Sequence, residues 1–96
     1  HPPHTSWKRT EPAAAALLES ARDALGGVAD DLGLDPALLL RPATLRLWVW
    51  RAATGDVTDD GALLDAVLRE EGARDWQREL STPALLAAVG AFRAAS

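Results

Sequence analysis

No cysteine occurs in this 96-residue chain, so neither a disulfide nor a thiolate metal site is available. Tyrosine, asparagine, methionine and isoleucine are missing as well. No run of about 18 apolar residues is present, which excludes a membrane-spanning helix, and the start shows no signal-peptide pattern. Together these absences point to a soluble, cytoplasmic protein without a membrane partner. Histidine is scarce. His1 and His4 are separated by two prolines, and with no further histidine or cysteine they do not make a metal-ligand set. Adjacent acids (Asp30-Asp31, Asp59-Asp60, Glu70-Glu71) cannot stand in for one, because neighbours on a helix diverge by about 100° and do not share a site. No glycine-rich loop could cradle a phosphate. No catalytic residue and no metal ligand are therefore assigned, and the chain itself is expected to need no cofactor. Positive charge is in the minority: the formal net charge is −4, which opposes broad attraction to phosphate.

What remains is abundant helical patterning. Residues 1–10 read as an arm or linker, polar apart from Trp7, and a lone tryptophan there is expected to anchor the arm by packing. Thr10-Glu11-Pro12 reads as a helix start. From there Ala14, Leu17, Leu18, Ala21, Leu25, Val28, Ala29 and Leu32 keep one 3.6-residue phase. Gly26-Gly27 do not reset it, so a single long helix over 11–32 is expected, weakened by about 1 kcal/mol per glycine. Its outer side carries Glu19, Asp23, Asp30 and Asp31, with Arg22 the one base.

Gly33 is expected to terminate that helix in the left-handed conformation. Asp35-Pro36 reads as an N-cap with proline at the first helical position, opening one short turn to about residue 40. Pro42 restarts the chain into a helix over 42–54. Leu32, Leu38, Leu45, Trp48 and Val49 are expected to form the inner face of this region. Arg46, Leu47, Trp50, Arg51 and Thr54 fall on the opposite side of the helix. Gly55 closes it, Thr58 or Asp59 caps the next helix over 60–71, and Gly72 ends that. A short helix over 73–80, with Trp76 in the core, is expected to precede a last helix restarted by Ser81-Thr82-Pro83. No stretch alternates with period 2, so no strand is expected and the class is all-α.

With catalysis set aside, surface recognition is left. Residues 41–51 contain three arginines and no acid. An outward Trp50 between Arg46 and Arg51 could stack on unpaired bases while guanidinium groups hold phosphates. Arg41, Lys8 and Arg9 would flank that site as further phosphate contacts. Equally, Trp50 and Leu47 could be covered by the arm through Trp7, or dock on a neighbouring domain. The candidate nucleic-acid-binding set is therefore Lys8, Arg9, Arg41, Arg46, Trp50 and Arg51.

The run Leu-Gly-Leu-Asp-Pro-Ala-Leu-Leu-Leu-Arg-Pro-Ala-Thr-Leu, residues 32–45, between a long helix and a helix pair, resembles the HRDC domain (helicase and ribonuclease D C-terminal). The likeness extends over residues 17–89. More narrowly, Ser6-Trp7, Glu11-Pro12-Ala13-Ala14 and Gly72-Ala73-Arg74-Asp75-Trp76-Gln77 resemble the C-terminal region of actinobacterial ribonuclease D-like 3′-5′ exonucleases. The resemblance implies a compact bundle of five to six helices over 11–96, the first helix long and the second a single short turn. It also implies a monomeric accessory domain that contacts RNA or single-stranded DNA, or the catalytic domain of its own parent. The parent would be a 3′-5′ exoribonuclease whose divalent metals are held outside this chain. An HRDC domain of a RecQ-type helicase has the same fold, and a structural module docking on its parent is the reading from a different functional class.

Overall fold

A computed structural model describes residues 2–96. Six α-helices follow a short 3-10 turn at His4–Ser6: α1 (Trp7–Thr10), α2 (Pro12–Leu32), α3 (Pro36–Leu39), α4 (Pro42–Thr54), α5 (Asp60–Glu70) and α6 (Asp75–Ala95). There is no strand among the described residues. The Cα radius of gyration, 12.4 Å, is what close packing of a chain this long gives.

The long helix forms as its periodicity requires. Ala14, Leu17, Leu18, Ala21, Leu25 and Ala29 are its buried residues, and the helix runs unbroken through both glycines. Thr10 turns back to donate from Oγ1 to the Ser6 carbonyl at 3.0 Å. Glu11 takes the N-cap position without a side-chain bond, and Pro12 supplies the first turn. The end matches: Gly33 has φ 68°, and Leu34 N–H reaches back to the Ala29 carbonyl at 2.9 Å. One residue later Asp35 Oδ1 accepts the Ala37 amide at 2.9 Å and opens α3. Asp59 caps α5 in the same way, accepting from Ala62 at 3.0 Å.

Helix α4 buries Leu45, Trp48, Val49 and Ala52. With Leu17, Leu64, Leu68, Leu85 and Val89 they form the core. Gly55 ends α4 with φ −85°, not in the left-handed region. Glycine is still required there, because a Cβ would stand 2.6 Å from the Arg51 carbonyl oxygen, a backbone atom that cannot move aside. Gly55→Ala is expected to lower stability by about 1–2 kcal/mol, read from urea unfolding.

Three expectations are corrected. Residues 75–95 are one helix, not two, and Pro83 lies inside it. Pro83 and Glu79 are both exposed, so the carbonyl that loses its helical partner faces solvent, where the loss is tolerated. Ser81, expected near a cap, is instead fully buried and donates from Oγ to the Leu39 carbonyl at 3.3 Å. Trp76, Leu32 and Leu38 are not core residues; they are 44%, 49% and 55% exposed. Continuing the α6 phase through 81 turns Ser81 and Leu85 inward and leaves Trp76 outside.

The segment read as an arm is packed onto the body. Trp7 has no exposed surface, its Nε1 donates to the Pro2 carbonyl at 3.0 Å, and α1 lies against α2. At the other end of the chain, Arg93 ties three helices together. It donates to both Asp60 carboxylate oxygens, at 2.8 and 3.3 Å, and to the Ala52 carbonyl at 2.8 Å. No helix among the described residues is long and apolar enough to cross a membrane.

Candidate nucleic-acid interface

The six residues singled out from the sequence do not form one surface. Arg41 and Arg51 both turn toward the end of α5. Arg41 Nη2 donates to the Glu71 carbonyl, and Arg51 Nη1 lies 3.5 Å from Glu70 Oε2. Arg51 and Glu70 are largely exposed, so that pair contributes little stability. Both arginines are nevertheless engaged within the chain. Arg41 also lines a cavity of about 200 Å³ with Arg74 and Gln77, separate from the cations of α1 and α2.

Trp50 is not an open stacking platform. It is half-buried, with its ring centroid 5.3 Å from that of Trp7 and the planes tilted by 38°. Leu47 is half-buried against the core beside it. The side of α4 expected to face outward is therefore the side on which the N-terminal segment lies, and the covering by Trp7 is the geometry observed. Trp76, which the sequence pattern places inside, is the tryptophan with the most exposed ring.

Lys8 and Arg46 are brought together with two residues the sequence did not single out. His4, Lys8 and Arg22 line a cavity of about 540 Å³ between the N-terminal segment and α2, with Glu19 and Asp23 on its α2 wall. Arg46, from α4, acts electrostatically on the same histidine. Partial burial, then Arg46, then Arg22 hold the His4 imidazole below the ordinary histidine range. His4 also meets Trp7 edge-on, centroids 6.3 Å apart at 84°, so the tryptophan that anchors the segment also braces this ring.

The state of the cations sorts them. Of the ten lysines and arginines, Arg41, Arg51, Arg69, Arg78 and Arg93 donate side-chain bonds to other groups of the chain. Among the described residues, Lys8, Arg9, Arg22 and Arg46 have no side-chain hydrogen bond or ion pair; the tenth cation, Arg74, donates no side-chain bond either and stands apart, at the start of α6 on the cavity that Arg41 lines. Three of those four meet around His4. Arg22 is hidden in the sequence because its neighbours on α2 are acidic, and His4 because the segment around it reads as a linker. Only docking of that segment creates the groove. His1, the other member of the histidine pair, lies outside the described residues. Among the described residues no group of three or more His, Cys, Asp or Glu could hold a metal ion.

Neither a curated protein nor a solved structure is a significant match to the chain. A family model described as the 3′ to 5′ exonuclease C-terminal domain matches residues 1–89, which takes in the N-terminal segment along with the bundle. An all-helical domain with its N-terminal tryptophan built into the core, matched over nearly its full length, belongs to the 3′ to 5′ exonuclease C-terminal domain family.

Proposed function

We propose that this domain is a non-catalytic accessory module of a ribonuclease D-like 3′-5′ exoribonuclease, and that it holds single-stranded RNA or DNA by its phosphates. The observation that carries this reading is a groove lined by Lys8 and Arg22, with Arg46 acting on the His4 that lines it too, and no side-chain partner for any of the three cations among the described residues. Bringing a phosphate into a set of unpaired cations releases counterions from the polymer and breaks no protein contact. With Trp7 buried and Trp50 half-buried, base stacking adds little here. The contact is therefore weak, sensitive to salt and indifferent to sequence, which suits a module that keeps a substrate near an active site located elsewhere. Any divalent metals belong to that catalytic part. Arg41 and Arg51 drop from the primary set because each already bonds the α5 terminus, and Arg9 remains as an outer contact.

The test is titration of a labelled single-stranded oligonucleotide over a range of salt. Lys8→Ala, Arg22→Ala and Arg46→Ala should each weaken binding and flatten the log–log salt slope by about 0.7. Arg51→Ala should change neither. Absence of binding at low salt, or an Arg51→Ala effect as large as that of Arg46→Ala, refutes the reading. A second reading has its own observation: Leu38 and Trp76 are large, apolar and exposed, and their segments are joined by the Gln77 amide donating to the Leu38 carbonyl at 3.0 Å. This is the face on which the domain would rest against the rest of its parent.

A further inference from the structure

We infer that His4 is itself a phosphate ligand of this groove and makes that contact only as the imidazolium, so that binding a nucleic-acid strand takes up a proton. The inference rests on the phosphate-binding reading above and adds to it a residue and a dependence on pH.

The geometry comes first. His4 stands in the 3-10 turn, one helical turn before Lys8, and both line the cavity whose far wall is α2. The ring is held edge-on to the buried Trp7, so it has a fixed position rather than that of a side chain on a loose tail. The groups that face it are Lys8 from α1, Glu19, Arg22 and Asp23 from α2, and Arg46 from α4. In the free domain partial burial, then Arg46 and Arg22, disfavour the charged form of the ring.

A phosphodiester in the groove opposes the two cationic influences. It offsets Arg22 and Arg46, and it gives a ring N–H an anionic acceptor, which a protonated imidazole uses better than a neutral one. The pKa of His4 therefore rises on binding. By linkage, a ligand that raises a pKa binds more tightly as pH falls through the interval between the free and bound values. The phosphodiester does not titrate in that interval. An imidazolium contact also differs from an arginine contact in being withdrawn on the alkaline side, so it acts as a graded grip.

The experiment uses the whole chain and an oligothymidylate carrying a rhodamine-type label, which does not titrate near neutrality. Anisotropy titrations at fixed low salt are run at about pH 8 and about pH 5.5, on the wild type, His4→Gln and His4→Phe. The phenylalanine variant keeps an aromatic edge against Trp7, and circular dichroism checks that both variants are folded. In the wild type, affinity is expected to rise about five- to tenfold at the lower pH, the effect of a pKa that is higher in the bound state than in the free one. That ratio should collapse to below about twofold in both variants. In proton NMR the His4 Cε1–H titration midpoint should move upward when oligonucleotide is present. A pH ratio that persists in both variants, or a wild type without one, overturns the assignment of His4 while leaving the phosphate groove standing. No binding at either pH overturns both.

Discussion

Replacing Trp48 by alanine is expected to destabilise the domain by about 3–5 kcal/mol, seen as a lower urea midpoint at unchanged slope. The side chain has no exposed surface and lies on the face of α4 directed into the core, among Leu17, Val49, Leu64 and Leu85. A domain of this size has about 5–15 kcal/mol of stability in all, so this one change removes a large part of it. The indole N–H is a control on the mechanism. Trp48 Nε1 is buried without a hydrogen-bond partner, and an unmade buried bond of that kind costs about 1–3 kcal/mol. Trp48→Phe loses volume but also removes the orphaned donor, so it should cost well under half of what Trp48→Ala does. Equal losses for the two variants would mean that the N–H is satisfied and that shape alone is not what Trp48 supplies.

Replacing Trp7 by alanine should have the next largest effect, about 3 kcal/mol by the same mechanism. Loss of Trp7 uncovers Trp50, whose ring lies 5.3 Å away, and frees the segment that carries His4 and Lys8. Two readouts should therefore move together. Tryptophan emission should shift to the red and become easier to quench as Trp50 meets solvent, and oligonucleotide affinity should fall because one wall of the groove is no longer held. A chain beginning at Glu11 should behave like Trp7→Ala. If it were instead as stable as the full chain, with unchanged emission from Trp50, residues 2–10 would contribute nothing to the body.

Most of the helical framework is legible in the sequence, because local chemistry dictates it. Gly33 adopts the left-handed conformation, Asp35 and Asp59 accept the amides their positions require, and Leu17, Leu18, Ala21 and Leu25 keep a phase that two glycines do not disturb. Where local chemistry conflicts with packing, packing prevails. Ser81-Thr82-Pro83 has the composition of a helix start, yet the helix continues, since burying Ser81 and Leu85 in register outweighs one lost bond on the wet side. Trp76 has the composition of a core residue, because tryptophan is usually buried, but helical phase places it outside.

The candidate site is legible only in part, for a different reason. Side-chain type says that an arginine can hold a phosphate, but not whether it is free to do so. Arg41 and Arg51 are tied to residues 30 and 19 positions away, a long-range pairing that no local pattern encodes. Arg22 lies among acids on its own helix and acquires its cationic company only from α1 and α4. His4 needs the same tertiary step. Lys8 and Arg46 can be found from the sequence, and folding decides which of the remaining candidates join them.

The distribution of charge has a consequence for how this domain meets a polyanion. Its net charge is negative, yet Lys8 and Arg22 line one groove, with Arg46 acting on the same histidine. Helix α2 ends at the opposite extreme of its length with Asp30 and Asp31 and no base in its last turn, where the helix dipole is already negative. The C-terminal end of α2 is thus acidic, apart from the groove in which Lys8 and Arg22 stand. In the field of a nucleic-acid strand such a body feels a torque before it feels a contact, turning Lys8, Arg22 and Arg46 forward and the acidic end away. A weakly held strand would then be met in one orientation, with the domain's acidic end always on the outside.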